Sequence, residues 1–114
     1  MPRSQLSPFQ LVFDHNPAAL AVTRRRDSVI IEVNDAFCAL VSYKREEIIG
    51  ATALNLGIWP QPSDRSRLVA EIESSGRVQN MQVPLRARDH SLRYVEVSSE
   101  LTDFGSEPCM LTMI

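Results

Sequence analysis

Residues 33–50, VNDAFCALVSYKREEIIG, decide the fold of this chain. An apolar run ends at Val33, and Asn34 follows it, a residue that caps helices well because its side-chain oxygen accepts an N–H of the first turn. Asp35 places a negative charge at the positive end of that helix, apolar residues then recur at helical spacing, and Gly50 is a usual stop. The stretch predicts a strand, an Asn-capped helix and a short acidic helix.

Composition limits what the chain can be. Its 114 residues, 44% of them hydrophobic, fit one globular domain with a core. A net charge of −2 gives no bulk attraction for nucleic acid or anionic lipid, and the sequence has neither a signal peptide nor an apolar run of membrane length. We therefore expect a cytoplasmic location, no nucleic-acid partner and no direct membrane contact.

The cysteines do not indicate a metal site or a disulfide. Cys38 and Cys109 are isolated, and the sequence contains no CxxC motif and no Cys/His cluster. We expect both to be small apolar side chains in the core.

The N-terminal segment predicts a helix with an unusual amount of apolar surface. Ser7 as the cap, Pro8 in the first turn and Gln10 three residues on form a capping box, and the helix should stop before Pro17. Its apolar side chains exceed what a short surface helix exposes; they are Phe9, Leu11, Val12 and Phe13. We expect residues 1–16 to cover one side of a sheet and form a two-fold homodimer contact, with residues 17–114 as the domain proper.

The remaining chain predicts strands on either side of the helices. Residues 19–23 and 29–33 read as a hairpin, a helix over residues 63–75 ends at Gly76, and three further strands cover residues 78–88, 92–101 and 109–114. Pro84 places its strand at an edge because proline cannot donate to a ladder. The last strand is apolar on both faces and should be central. The fold class is therefore α+β, a five-stranded antiparallel sheet with helices packed on one face and an additional N-terminal helix.

This ordered series resembles a PAS domain from about residue 9 to the C-terminus. The matching positions are Val33, Asn34, Ala36, Phe37, Tyr43, Glu46, Glu47, Ile48, Ile49 and Gly50; Ser42 and Lys44 depart from the family pattern. The resemblance implies a sensory or signal-relay module, with a covalently linked output domain following the last strand. By family frequency that output is a histidine kinase in a two-component phosphorelay. The alternatives are a diguanylate cyclase, or a purely dimerising interaction module without ligand.

The resemblance also bears on cofactors. Flavin-photochemical members carry a reactive Cys just after the matching Gly50, where this chain has Ala51, Thr52 and Ala53, and haem-binding members use a His that residues 63–75 lack. We therefore expect no cysteinyl-flavin and no haem ligated from that helix, while a non-covalent flavin stays open.

PAS domains can enclose a ligand between the long helix and the sheet. The residues expected to line such a site are Phe37, Leu56, Trp59, Ile72, Met81, Tyr94 and Met110, with Leu54, Leu68 and Val83 as further candidates. The same side chains could simply fill the core. A polar contact would come from Tyr94, Glu96, Ser98 or Thr112.

Catalysis by this domain is not indicated. Asp14 and His15 are neighbours that do not face each other on a helix, and Glu46 and Glu47 suit a first helical turn. No nucleophile lies in a recognisable context. Residues 24–26, three arginines, could bind phosphate but are more typical of a solvated turn.

Overall fold

The structure, a computed structural model, describes residues 7–114 apart from the side chain of Phe9. Residues 1–6 of the predicted N-terminal segment lie outside the described residues. The described residues form four helices and five strands, which in chain order are α1 Pro8–His15, β1 Leu20–Arg24, β2 Ile30–Val33, α2 Asp35–Val41, α3 Arg45–Ile48, α4 Pro62–Ser75, β3 Arg77–Arg86, β4 Leu92–Phe104 and β5 Glu107–Met113.

The strands form one antiparallel sheet in the order β2-β1-β5-β4-β3. The prediction of an α+β fold is confirmed, as are the central position of β5 and the edge position of the strand that contains Pro84. The first and last strands meet at their ends: Ile114 donates its N–H to the Ala19 carbonyl at 2.9 Å, and Ala19 donates to the Ile114 carbonyl at 3.2 Å.

The sheet has an inner face, which α2 and α4 cover, and an outer face on the opposite side. On β5, Met110 and Thr112 point inward and Leu111 and Met113 point outward, in register with β1. Burying apolar side chains on the inner face supplies the main driving force for folding. The largest core side chains, each under 6% exposed, are Ile30, Val33, Phe37, Val41, Ile48, Ile58, Leu68, Ile72, Val83, Leu85 and Val97.

The helix ends follow the capping rules read from the sequence. Ser7 accepts the Gln10 N–H at 3.2 Å, and the Gln10 side chain accepts the Ser7 N–H at 3.0 Å, so the predicted capping box is formed. Helix α4 begins at Pro62, one residue before the predicted start, because proline suits the first helical position. It ends at Gly76, whose φ of 85° lies in the left-handed region that glycine tolerates.

Asn34 connects three parts of the chain through one buried side chain. Its Oδ1 accepts the Phe37 N–H at 3.0 Å, which is the predicted helix cap. The same oxygen accepts the Leu20 N–H of β1 at 2.9 Å. Its Nδ2 donates to the carbonyls of Ala18 at 2.8 Å and Asn16 at 3.4 Å. The side chain therefore ties the segment after α1 and the start of β1 to the first turn of α2.

We predict that Asn34→Ala will lower the free energy of unfolding by about 3 kcal/mol, more than the roughly 1 kcal/mol of a simple cap. The reason is that Asn34 is only 1% exposed, so its partners would remain buried without hydrogen bonds. Chemical denaturation measures the change. Asn55→Ala is the control, because Asn55 is exposed and should change stability little. Equal effects of the two substitutions would contradict the prediction.

Candidate functional site

A cavity of about 80 Å³ lies between α4 and the inner face of the sheet. Most of its wall is apolar, and a few polar side chains reach it from β1, the β1–β2 turn and α4. It is lined by Ala21, Thr23, Ser28, Ile30, Phe37, Ala53, Ile58, Trp59, Arg65, Leu68, Val69, Leu85, Val97, Met110, Thr112 and Ile114. An apolar hollow with a few converging polar groups is the usual form of a small-molecule site.

Three of the seven predicted site residues line this cavity, namely Phe37, Trp59 and Met110. Leu68, a further candidate, also lines it. The structure places three others in the surrounding core without reaching the cavity wall, and these are Leu56, Ile72 and Met81.

Tyr94 was expected from the sequence to line the site, and this expectation is wrong. Its side chain is 79% exposed and lies on the outer face of the sheet beside Pro84 and Glu96, away from the cavity. Side chains alternate between faces along a strand, so the alternation that turns Val95 and Val97 inward turns Tyr94 outward. For the same reason Glu96 does not line the cavity.

The polar groups of the cavity differ from those expected. Thr112, one of the four expected, lines it, but its hydroxyl already shares a hydrogen bond of 2.7 Å with Ser99. Ser98 does not line it. Thr23 does, and its hydroxyl oxygen is buried without any hydrogen-bond partner in the described part of the chain. Buried hydroxyls nearly always have a partner, so Thr23 is the feature of this cavity that packing alone does not explain.

Thr23 and Arg65 were not among the residues expected from the sequence, although the position of each in its strand or helix indicates that it faces the core. Thr23 continues the inward alternation of Ala19 and Ala21 along β1, so a hydroxyl was predictable there. Arg65 lies three residues before Leu68, on the same side of α4 as that buried leucine. Arg65 donates from its guanidinium to the Ser28 hydroxyl of the β1–β2 turn.

A second concave surface lies on the outer face and is called the outer groove here. Helix α1 forms one of its walls, and the groove measures about 780 Å³. Its apolar lining comes from Val12, Phe13, Leu20, Val22, Phe104 and Leu111. Val12 is 67% exposed and Phe104 is 46% exposed, so the groove leaves apolar surface in contact with water.

The three arginines of residues 24–26 belong largely to a paired turn. Arg24 contacts the Asp27 carboxylate at 2.9 Å, and Arg26 contacts Glu107 at 3.4 Å. The Val29 N–H, which donates to Asp27, and then Arg24 lower the pKa of Asp27. This pairing favours the solvated-turn interpretation over a phosphate site.

The cysteine thiols lie in unreactive surroundings. Burial, followed by the nearby Asp35 carboxylate, raises the pKa of Cys38, and burial raises the pKa of Cys109. A raised pKa keeps a thiol protonated and weakly nucleophilic. Across residues 7–114, no three His, Cys, Asp or Glu side chains lie close enough together to hold a metal ion.

The side chains of Asp14 and His15 lie in different environments. Asp14 is buried at 4% exposure, whereas His15 is exposed and its Nδ1 lies 3.8 Å from the Asp35 carboxylate. The two side chains are therefore not arranged as a base and its orienting partner.

Comparison with known proteins identifies the class. The family model described as the PAS fold matches residues 8–114, so this chain belongs to the PAS family. No curated protein matches the chain. Within the part of the chain that the structure describes, no helix is long and apolar enough to cross a membrane.

Solved structures show the same fold at low sequence identity. A PAS domain from a two-component sensor histidine kinase is 15% identical, with a TM-score of 0.79, over 92% of this chain and 89% of that one. The PAS domain of nitrogen regulation protein NR(II) from Vibrio parahaemolyticus is 16% identical, with a TM-score of 0.76, over 95% and 96%. The PAS domain of a LuxR-family transcriptional regulator from Burkholderia thailandensis, solved in complex with ethanol, is 18% identical, with a TM-score of 0.76, over 95% and 96%.

We predict that Thr23→Val will raise the free energy of unfolding by about 1 kcal/mol, because it removes a buried hydroxyl that lacks a partner and keeps the shape of the side chain. Thr112→Val is the matched control on the same face. It should lower the free energy of unfolding, since Thr112 is bonded to Ser99. Chemical denaturation of both variants without added ligand is the measurement. Destabilisation by both substitutions would show that Thr23 has a partner in the folded protein.

Proposed function

We propose that this PAS domain is a ligand-sensing module, with the cavity between α4 and the sheet as its binding site. Phe37, Trp59 and Met110 would contact the ligand, and the Thr23 hydroxyl would be its hydrogen-bond partner. The observation that carries the proposal is the buried Thr23 hydroxyl without a partner at a cavity wall. A bound molecule would supply the missing hydrogen bond, so the cost of burying the hydroxyl would be recovered on binding.

The size of the cavity limits the ligand. A volume of about 80 Å³ is well below the roughly 300–1,000 Å³ of pockets that hold drug-sized ligands. The similar PAS domain solved with ethanol has a small ligand. We therefore propose a molecule of very few non-hydrogen atoms and not a flavin or haem.

We further propose that the parent protein is a signalling protein with a histidine kinase output, and that the domain itself is not catalytic. Similar PAS domains from histidine kinases support this output, while the domain from a LuxR-family regulator represents a different one. A diguanylate cyclase is the alternative that the family resemblance leaves. The cytoplasmic location expected from the sequence stays a prediction.

The test is a titration followed by NMR of methionine methyl groups, with ethanol, 1-propanol and propionate as probes. We expect at least one probe to move the Met110 signal saturably, because Met110 lines the cavity. Met113 is the internal control, since it is 49% exposed on the outer face and should not move. Ala53→Met, which fills part of the cavity, should abolish the effect. A Met110 signal that stays still with every probe would contradict the proposal.

Homodimerisation through the outer groove is a second proposed function. Helix α1 exposes Val12 and Leu11, and the neighbouring sheet face exposes Phe104 and Met113. Because the same molecule carries an apolar helix edge and an apolar groove, two copies related by a two-fold axis can cover both. We propose a second copy of this chain as the occupant, with a ligand-dependent change in the sheet passing through this contact.

We predict that Val12→Glu will weaken the dimer at least tenfold while the domain stays folded, because a charge would be buried at the centre of the contact. Sedimentation equilibrium gives the dissociation constant, and circular dichroism checks the fold. Leu54→Glu is the control, since Leu54 is also an exposed apolar residue, at 41%, but lies outside the groove. Either a monomeric native protein or equal weakening by both variants would rule out this interface.

A further inference from the structure

Arg65 lacks the carboxylate partner that most arginines with defined contacts have in the described residues, and it shares this only with Arg93, which donates to the Leu40 carbonyl. In the described residues the single hydrogen bond of Arg65 goes to a neutral group, the Ser28 hydroxyl, and no carboxylate lies within ion-pair distance of it. An arginine has five N–H donors, so most of its donors have no protein acceptor. Five other arginines each contact a carboxylate, and they are Arg24, Arg26, Arg45, Arg67 and Arg88.

The location of Arg65 places its unused N–H donors at the wall of the cavity. Arg65 is only partly exposed, and it lines the same cavity as Thr23 and Ser28. The acidic groups nearby in sequence are already engaged. Asp64 contacts Arg67 at 3.4 Å, and Asp27 contacts Arg24 at 2.9 Å. The cavity wall therefore carries a cation that forms no ion pair with a carboxylate of the described residues.

The rest of the cavity wall is apolar and would favour a ligand with a short apolar chain. Phe37, Leu68 and Met110 face the cavity, and hydrocarbon surface is stabilised when it leaves water for such a site. The cavity, at about 80 Å³, has room only for a small ligand. The site thus combines a positive charge, two hydroxyls and a short apolar space.

We propose that the cavity binds a short-chain monocarboxylate anion of about three carbons, an inference that rests on the proposed sensing function. The carboxylate would accept hydrogen bonds from the Arg65 guanidinium, which matches a carboxylate in planar geometry, and from the Ser28 hydroxyl. The alkyl group would point toward Phe37 and Met110, and the Thr23 hydroxyl would donate to the nearer carboxylate oxygen. A neutral alcohol of the same length could satisfy Thr23 but would leave Arg65 without a carboxylate partner.

The experiment compares propionate with 1-propanol, which have the same chain length and differ in charge. The Met110 methyl signal is followed during each titration at pH 7, where a carboxylic acid is ionised. We expect propionate to bind at least tenfold more tightly than 1-propanol. Arg65→Gln should weaken propionate at least tenfold and leave 1-propanol unchanged, and Thr23→Val should weaken propionate by a smaller factor.

Arg67→Gln is the matched control, because Arg67 lies on the same helix but contacts Asp64 and does not line the cavity. It should leave both affinities unchanged, and the melting temperature of each variant reports whether it has folded. The proposal is overturned if 1-propanol binds as tightly as propionate, or if Arg65→Gln binds propionate as the native protein does. Binding of 1-propanol without propionate would overturn this inference alone, whereas the absence of any binding would overturn the sensing function as well.

Discussion

The fold depends on one buried amide group. The Asn34 side chain accepts two backbone N–H groups and donates to two backbone carbonyls, and these four groups belong to two stretches, residues 16–20 and the first turn of α2. A hydrogen bond in a buried site of low dielectric constant is strong, and its absence there is correspondingly costly. The side chain thus ties β1 to α2, and both elements contribute residues to the cavity wall, Ala21 and Thr23 from β1 and Phe37 from α2.

The cavity contains two polar side chains whose contacts do not favour stability. A valine at position 23 would satisfy every requirement of packing, yet the chain has a threonine whose hydroxyl has no partner among the described residues. Arg65 likewise has a neutral contact where a carboxylate would stabilise it more. Proteins tolerate such local defects where a function needs them. Two such polar side chains in one cavity wall are not explained by packing alone.

The order of the helices and strands could be predicted from the sequence, and so could the residues that mark their ends. Ser7, Asn34 and Gly76 mark helix ends by chemistry that acts within a few residues, and Pro84 marks an edge strand because a missing N–H has the same effect in any fold. These features were predictable because each depends on near neighbours.

The site was only partly predictable, because its members are far apart in sequence. Thr23 and Arg65 line the same cavity only after the sheet has formed. The sequence around either residue gives no indication that the other lies nearby. The long-range contacts of Asn34 with Ala18 and Leu20 were missed for the same reason. Tyr94 is a different kind of error, since the alternation of side chains along β4 places it on the face opposite its neighbour Val95.

The pairing of Ala19 with Ile114 has a mechanical consequence. Because β1 and β5 are antiparallel, the start of one lies beside the end of the other. Tension between these two points would load the terminal hydrogen bonds first and open the ladder one rung after another, like a zipper. A zipper yields to a much smaller force than a ladder sheared along its length. The pair of residues that separates first contains Ile114, which also lines the cavity, so a weak pull on these two points would reach the cavity before it reached the rest of the fold.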